Sequence, residues 1–170
     1  MSTAPQPRHR KGLVMISALG IALSTALAAP ATAAALEDGA DKRWRLSLPI
    51  GSWTGVVEHA EGSGNLTLNF HPNGTVCLFS GAGGAEGGGE GTGTWRVTGP
   101  NTFAFQVKER LFEQDGTTAG WVGVNQKAVQ DHDSFRSKGI SKIYDAAGTY
   151  LLSAEARINV TRQSKVPAAC

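Results

Sequence analysis

From Gly51 onward, apolar and polar side chains alternate in short runs with a period near two and almost no helical periodicity. Period two puts successive side chains on opposite faces of an extended chain, so the pattern predicts strands. The runs are rich in Val, Thr, Phe, Trp and Ile and stop at turn signals at roughly regular intervals, which is the all-β pattern. Eight strands are predicted, at about 53–59, 64–71, 74–80, 92–98, 102–112, 120–130, 134–145 and 149–162. The breaks between them have local causes. His71-Pro72-Asn73-Gly74 fixes one φ and then offers residues that tolerate positive φ. Gly99-Pro100-Asn101 and Asp115-Gly116 do the same, and Asp145-Ala146-Ala147-Gly148 makes a short turn. With every connection but one short, neighbouring strands pair as hairpins in a meander, and closing that meander into a barrel removes its edges. The predicted fold class is therefore all-β, an eight-stranded antiparallel up-and-down barrel over 51–163 with an N-terminal extension at 34–50 and a tail at 164–170.

The long connection is 81–93, where eight of thirteen residues are glycine and Glu86 and Glu90 are among the rest. It lacks the G-K-[ST] ending of a phosphate loop and does not lead from a strand into a helix. It reads as a flexible loop, with a mobile flap over the barrel mouth as a refinement. There is also an internal echo at an offset of 42 residues: Gly51-Ser52-Trp53 and Asn73-Gly74-Thr75 recur as Gly93-Thr94-Trp95 and Asp115-Gly116-Thr117. Two duplicated half-barrels would produce it, and so would chance.

The first 33 residues are a different material. Arg8, Arg10 and Lys11 precede an apolar run at 13–29, which ends in Pro30 and the small triplet Ala31-Thr32-Ala33. A basic segment, an apolar segment and an A-x-A site make a cleavable signal peptide at 1–33 and a secreted, extracellular mature chain. The run is at the short end of the roughly 17–25 residues that span a bilayer, and no cysteine follows it to carry lipid, so no stable membrane anchor is expected after cleavage. His9 separates the two arginines, which excludes a twin-arginine signal. Of the 16 Lys+Arg, three precede Ala34 and no acid does, so 13 bases face 14 acids in the mature part. That balance lacks the basic footprint a nucleic-acid partner requires. Cys77 and Cys170 are the two cysteines; in an oxidising compartment they can bridge, and Cys170 on its Pro167-containing tail can equally be free. Two cysteines without a further ligand at metal spacing make no metal site, and no cofactor motif is present.

Gly51-Ser52-Trp53 at the start of the first of eight strands resembles the calycin superfamily, the lipocalins and their relatives. In that family the Trp of G-x-W closes one end of the barrel and an Arg near the end of the last strand packs over it. The resemblance puts Arg162 in that place, with Arg157 the alternative. Over about 110 residues, Trp53 to Arg162, the chain also resembles small bacterial lipocalin-like proteins. The shared features are G-T-W-R-V-T-G-P-N-T-F from Gly93 to Phe103, the strand end Glu109-Arg110-Leu111-Phe112, and Asp145-Ala146-Ala147-Gly148 before the last strand. The lipocalin T-D-Y motif is absent.

Phe103, Phe105, Val107, Glu109 and Leu111 share one face of the fifth strand. A carboxylate in that row is either an acid or base with a pKa raised by burial, or a buried or rim residue satisfied across the barrel. Trp121, Gly123, Asn125, Lys127 and Val129 share a face of the sixth strand, and Asn125 and Lys127 would join Glu109 in the lumen if Trp121 points inward. In the eighth strand Glu155 and Arg157 lie on the polar face, which points outward in a barrel in water. His59 and His71 end the first two strands at rims, and Asp131-His132-Asp133 is a weak cation site or simply a hairpin tip. No G-x-S-x-G elbow, H-E-x-x-H helix or Cys/His pair supports hydrolase chemistry.

Three functions follow. The leading one is a secreted barrel that binds a small, mostly apolar ligand, with Trp95, Phe103, Phe105, Trp121, Phe135 and Tyr144 lining or capping the lumen and Asn125 beside them. The second is a cofactor-free cyclase or isomerase acting on a polyketide-like intermediate, with Glu109 as acid or base and Lys127 and Tyr144 as helpers. The third, which the lipocalin-like resemblance suggests, is a protease inhibitor using 34–49, including Asp41-Lys42-Arg43-Trp44-Arg45, as its contact arm.

Overall fold

The computed structural model describes residues 47–81 and 87–170. The expected signal peptide at 1–33 and the segment Asp41-Lys42-Arg43-Trp44-Arg45 lie outside the described residues. Eight strands form a closed antiparallel barrel in which each pairs with its sequence neighbours and β8 returns to β1. They are β1 (Gly51–His59), β2 (Gly62–Phe70), β3 (Thr75–Ser80), β4 (Gly88–Gly99), β5 (Thr102–Phe112), β6 (Thr118–Asp131), β7 (Ser134–Asp145) and β8 (Tyr150–Ser164). Among the described residues there is no helix.

Three of the hairpin turns use one device. In His71–Thr75, Glu113–Thr117 and Asp145–Thr149 the Gly N–H donates to the first carbonyl and the first N–H donates back to the Thr carbonyl, at 2.8–3.1 Å. The Gly of each turn has φ between 81° and 86°, a conformation that a Cβ would strain. The β6–β7 turn instead holds His132 at φ 53° between its aspartates. Its imidazole and Asp131 are both exposed, so Asp131-His132-Asp133 is a solvated hairpin tip.

The glycine-rich stretch departs from expectation. Residues 82–86 lie outside the described residues, but from Gly88 onward the chain is strand β4, paired to both β3 and β5. Gly89, Gly91 and Gly93 alternate with Glu90, Thr92 and Thr94, and the exposed members are Glu90, Thr92 and Thr94. Glycine is required on the inner side because the neighbouring strand crosses very close: a Cβ on Gly93 would lie 1.7 Å from the Gln106 carbonyl oxygen. High glycine content hid a period-two pattern. The two triplets of the internal echo, Gly51-Ser52-Trp53 and Gly93-Thr94-Trp95, lie on β1 and β4, three strands apart in the barrel.

The two ends of the barrel differ. At one end, where β1 begins and β2 ends, Trp53, Phe70, Phe103, Phe105 and Phe135 are at most 2% exposed; Phe103, Phe105 and Phe135 meet Phe70 edge to face, and Trp53 meets Phe135. Arg162 lies over Trp53 with its guanidinium carbon 4.2 Å from the ring centroid, and it reaches the Ile50 and Leu48 carbonyls and Asp133. Trp53 Nε1 donates to the Pro49 carbonyl at 2.7 Å, so residues 47–50 cross this end as a cap. The Gly-Ser-Trp triplet and Arg162 thus form the plug that the resemblance implies. Cys77 and Cys170 are joined in a disulfide that ties the tail to the outer wall of β3.

Candidate functional site

The opposite end holds a cavity of about 250 Å³. Its wall is aliphatic: Leu66 and Leu78 from β2 and β3, Val122 and Val124 from β6, Ile143 from β7, and Ala156 and Ile158 from β8. Gln126 separates it from the aromatic plug; it is fully buried, donates weakly to the Ala156 carbonyl and accepts from Ser137 Oγ at 3.0 Å. Strand parity explains this composition. The inward residues of β6 are Val122, Val124, Gln126, Ala128 and Gln130, a row that carries no aromatic group.

One corner is polar. Glu109 is 5% exposed and lies on the inner face of β5 in line with Phe103, Phe105 and Val107, as its spacing predicts. Ser80, at the end of β3, donates its hydroxyl to Glu109 Oε1. Gly89 faces both, and a Cβ there would stand 2.1 Å from Oε1 and 2.4 Å from Ser80 Oγ. That glycine therefore makes the space in which the hydrogen bond forms. Burial lifts the Glu109 carboxyl above the usual carboxylate range, while the Ser80 hydroxyl and the field of His59 act the other way. His59, at the end of β1, lines the same cavity, whereas His71 belongs to the plugged end.

The remaining sequence-named residues lie elsewhere. Phe103, Phe105 and Phe135 form the plug, and Trp95 packs against it with Nε1 donating to the His71 carbonyl at 2.9 Å, so these four do not line the cavity. Their early position on β5 and β7, and late position on β4, puts them at the far end. Trp121 points outward, with Lys108 Nζ 4.6 Å from its ring centroid. Asn125 and Lys127, in register with it, are exposed on the outer wall and do not join Glu109. Tyr144 lies next to the inward Ile143 and so faces outward, against Tyr150 at 5.8 Å. Glu155 and Arg157 are exposed, as expected. The sequence reading places His59 only at a strand-end rim and does not single out Ser80 or Gly89. Ser80 follows Val76 and Leu78 at period two, a signal that marks it as inward-facing.

Chemically, the site is a mainly aliphatic pocket whose polar lining is the Glu109 carboxylate, the Ser80 and Ser141 hydroxyls, the Gln126 amide and the His59 imidazole. It has no cluster of metal ligands. Among the described residues the one group with such spacing is His71 with Cys77 and Cys170, whose sulfurs are bonded to each other.

No family model and no curated protein matches the chain. Two solved structures are similar to it. One is described as EF1p2_mFAP2b bound to DFHBI, with 16% identity over 71% of this chain and 98% of that one and a TM-score of 0.45. The other is a redesigned beta barrel, b11L5F_LGL, with 18% identity over 71% of this chain and 96% of that one and a TM-score of 0.43. Neither likeness assigns this chain a family or a ligand.

Proposed function

We propose that the protein is a secreted, calycin-like barrel that holds a small, mostly apolar molecule in its open end. The observation that carries the reading is an aliphatic cavity at one end of a barrel whose other end is fully plugged. Its volume is about 250 Å³, slightly under the roughly 300–1,000 Å³ of common ligand clefts, so the ligand is small. Titration with the neutral probe N-phenyl-1-naphthylamine tests it: saturable one-to-one binding is expected. Ala156→Phe, which fills the cavity from β8, should weaken that binding about tenfold or more, an apparent change of about 1.4 kcal/mol. Binding untouched by Ala156→Phe places the probe elsewhere and defeats the reading. Secretion rests on the leader alone, and N-terminal sequencing of exported protein is expected to begin after Ala33 or Ala35.

The buried carboxylate favours a second reading, a cofactor-free cyclase or isomerase in which Glu109 moves a proton within the cavity. Lys127 and Tyr144, on the outer wall, do not serve it from where they stand. If a substrate is identified, Glu109→Gln should lower turnover roughly 10²–10⁴-fold with little effect on binding.

A further inference from the structure

We propose that the molecule held in this cavity carries a basic nitrogen, an alkylamine-type cation, that seats against Glu109 and Ser80 while its apolar body fills the aliphatic part of the cavity. The inference rests on the cavity being the binding site and names the polar group that the site selects.

Three observations carry it. First, among the described residues Glu109 has one side-chain hydrogen-bond partner, the Ser80 hydroxyl on Oε1, and no lysine or arginine pairs with it. Its second carboxyl oxygen is left for whatever enters the cavity that Glu109 lines. A buried carboxylate without a cation is costly, and a cationic ligand removes that cost. Second, the polar corner offers acceptors: Oε2, and the lone pairs of a Ser80 oxygen whose proton is already given to Oε1. An ammonium group brings only donors, so the two sets match. An anionic ligand would meet a carboxylate with no lysine or arginine in the lining. Third, Gly89 keeps this corner open, since a Cβ there would collide with both polar groups.

The arrangement links binding to protons. A bound cation favours ionised Glu109, so binding expels a proton from any molecule in which the carboxyl is still protonated. Burial holds that carboxyl above its ordinary range, and affinity for an amine therefore rises with pH while the amine stays charged. Among the described residues, His59 on β1 is the one other titratable group lining the cavity. The facing residues of β3, β4, β6, β7 and β8 are uncharged, and the Lys108 and Arg110 neighbours on β5 belong to the outer face.

The test is displacement of N-phenyl-1-naphthylamine from the full-length exported protein by hexylamine, hexan-1-ol and hexanoate. At about pH 8, where the amine is charged, hexylamine should displace the probe at about one tenth of the hexanol concentration or less, with hexanoate weakest. The preference for amine over alcohol should shrink as the pH falls towards about 4. Glu109→Gln should abolish the preference, read as the ratio of hexylamine to hexanol displacement in the same variant, and its pH dependence, and Ser80→Ala should reduce it. Probe binding with hexylamine no better than hexanol, or an amine preference that survives in Glu109→Gln, overturns the proposal and leaves the cavity as the binding site. No probe binding at all overturns both.

Discussion

Phe70 meets the rings of Trp95, Phe103, Phe105 and Phe135 at centroid distances between 5.4 and 6.2 Å, whereas the other end of the same eight strands offers Leu, Val, Ile and Ala around an open space. The backbone is continuous through both halves, so the difference lies in the inward side chains. Large flat groups with a charged lid over Trp53 fill one end completely. Branched aliphatic groups, three inward glycines on β4 and a single carboxylate leave the other end unfilled. In a barrel of eight strands the lumen is wide enough for side chains or for one small ligand, and this chain uses each option at a different end.

Removing the plug is the strongest way to break the contrast. Trp53→Ala should cost about 3–5 kcal/mol, the usual range for a buried aromatic, as read from the unfolding midpoint. An unchanged midpoint would mean that the Trp53–Arg162 stack does not close the barrel.

A matched pair sharpens it. Leu68 is fully buried, while Leu78, at 3% exposure, borders the cavity. Both replacements by Ala remove the same atoms, and the usual cost of a buried leucine is about 2–5 kcal/mol. Leu68→Ala should fall near the top of that range and Leu78→Ala near the bottom, because Leu78 already lacks partner atoms on one side. Equal losses in urea unfolding would show both ends to be packed alike.

The smallest effect is the pH dependence of Glu109→Gln. A carboxyl whose pKa is raised by folding contributes stability that is full below its unfolded pKa and lost as the pH rises through the folded one. Near pH 4 the neutral acid and the amide should differ by about 1 kcal/mol or less, since each keeps a hydrogen-bonding group in the corner. With rising pH the wild type should lose ground to the variant. A gap that stays constant with pH would place the Glu109 carboxylate in a solvated setting.

How much of this was readable beforehand depended on which residues carried the alternation. Where Val, Phe and Leu occupied the inner face, as in Phe103-Phe105-Val107, strand, parity and the inward Glu109 were all legible. In β6 the large Trp121 suggested the wrong inner face for Asn125 and Lys127, although Val122, Val124 and Ala128 form the more apolar row. In the first part of β4 the inner face is glycine, which carries no hydropathy signal and lowers strand propensity, so the pattern predicts a strand only from about 92 and assigns 88–91 to a loop. Which end a residue belongs to was not written in the period at all. It follows from strand direction, and it decides that Phe105 is plug while Glu109, four residues on, is cavity.

The disulfide has a consequence for the chain as a covalent object. Cys77 and Cys170 are separated by 93 residues, which include all of β4 to β8. A single peptide-bond cut anywhere between them leaves two pieces held together through sulfur, so nicked protein keeps its intact mass until a reductant is added. A cut between β2 and Cys77 would shed the piece bearing β1 and β2 as soon as the barrel opens. Electrophoresis after limited proteolysis, with and without a thiol, would tell these two classes of cut apart.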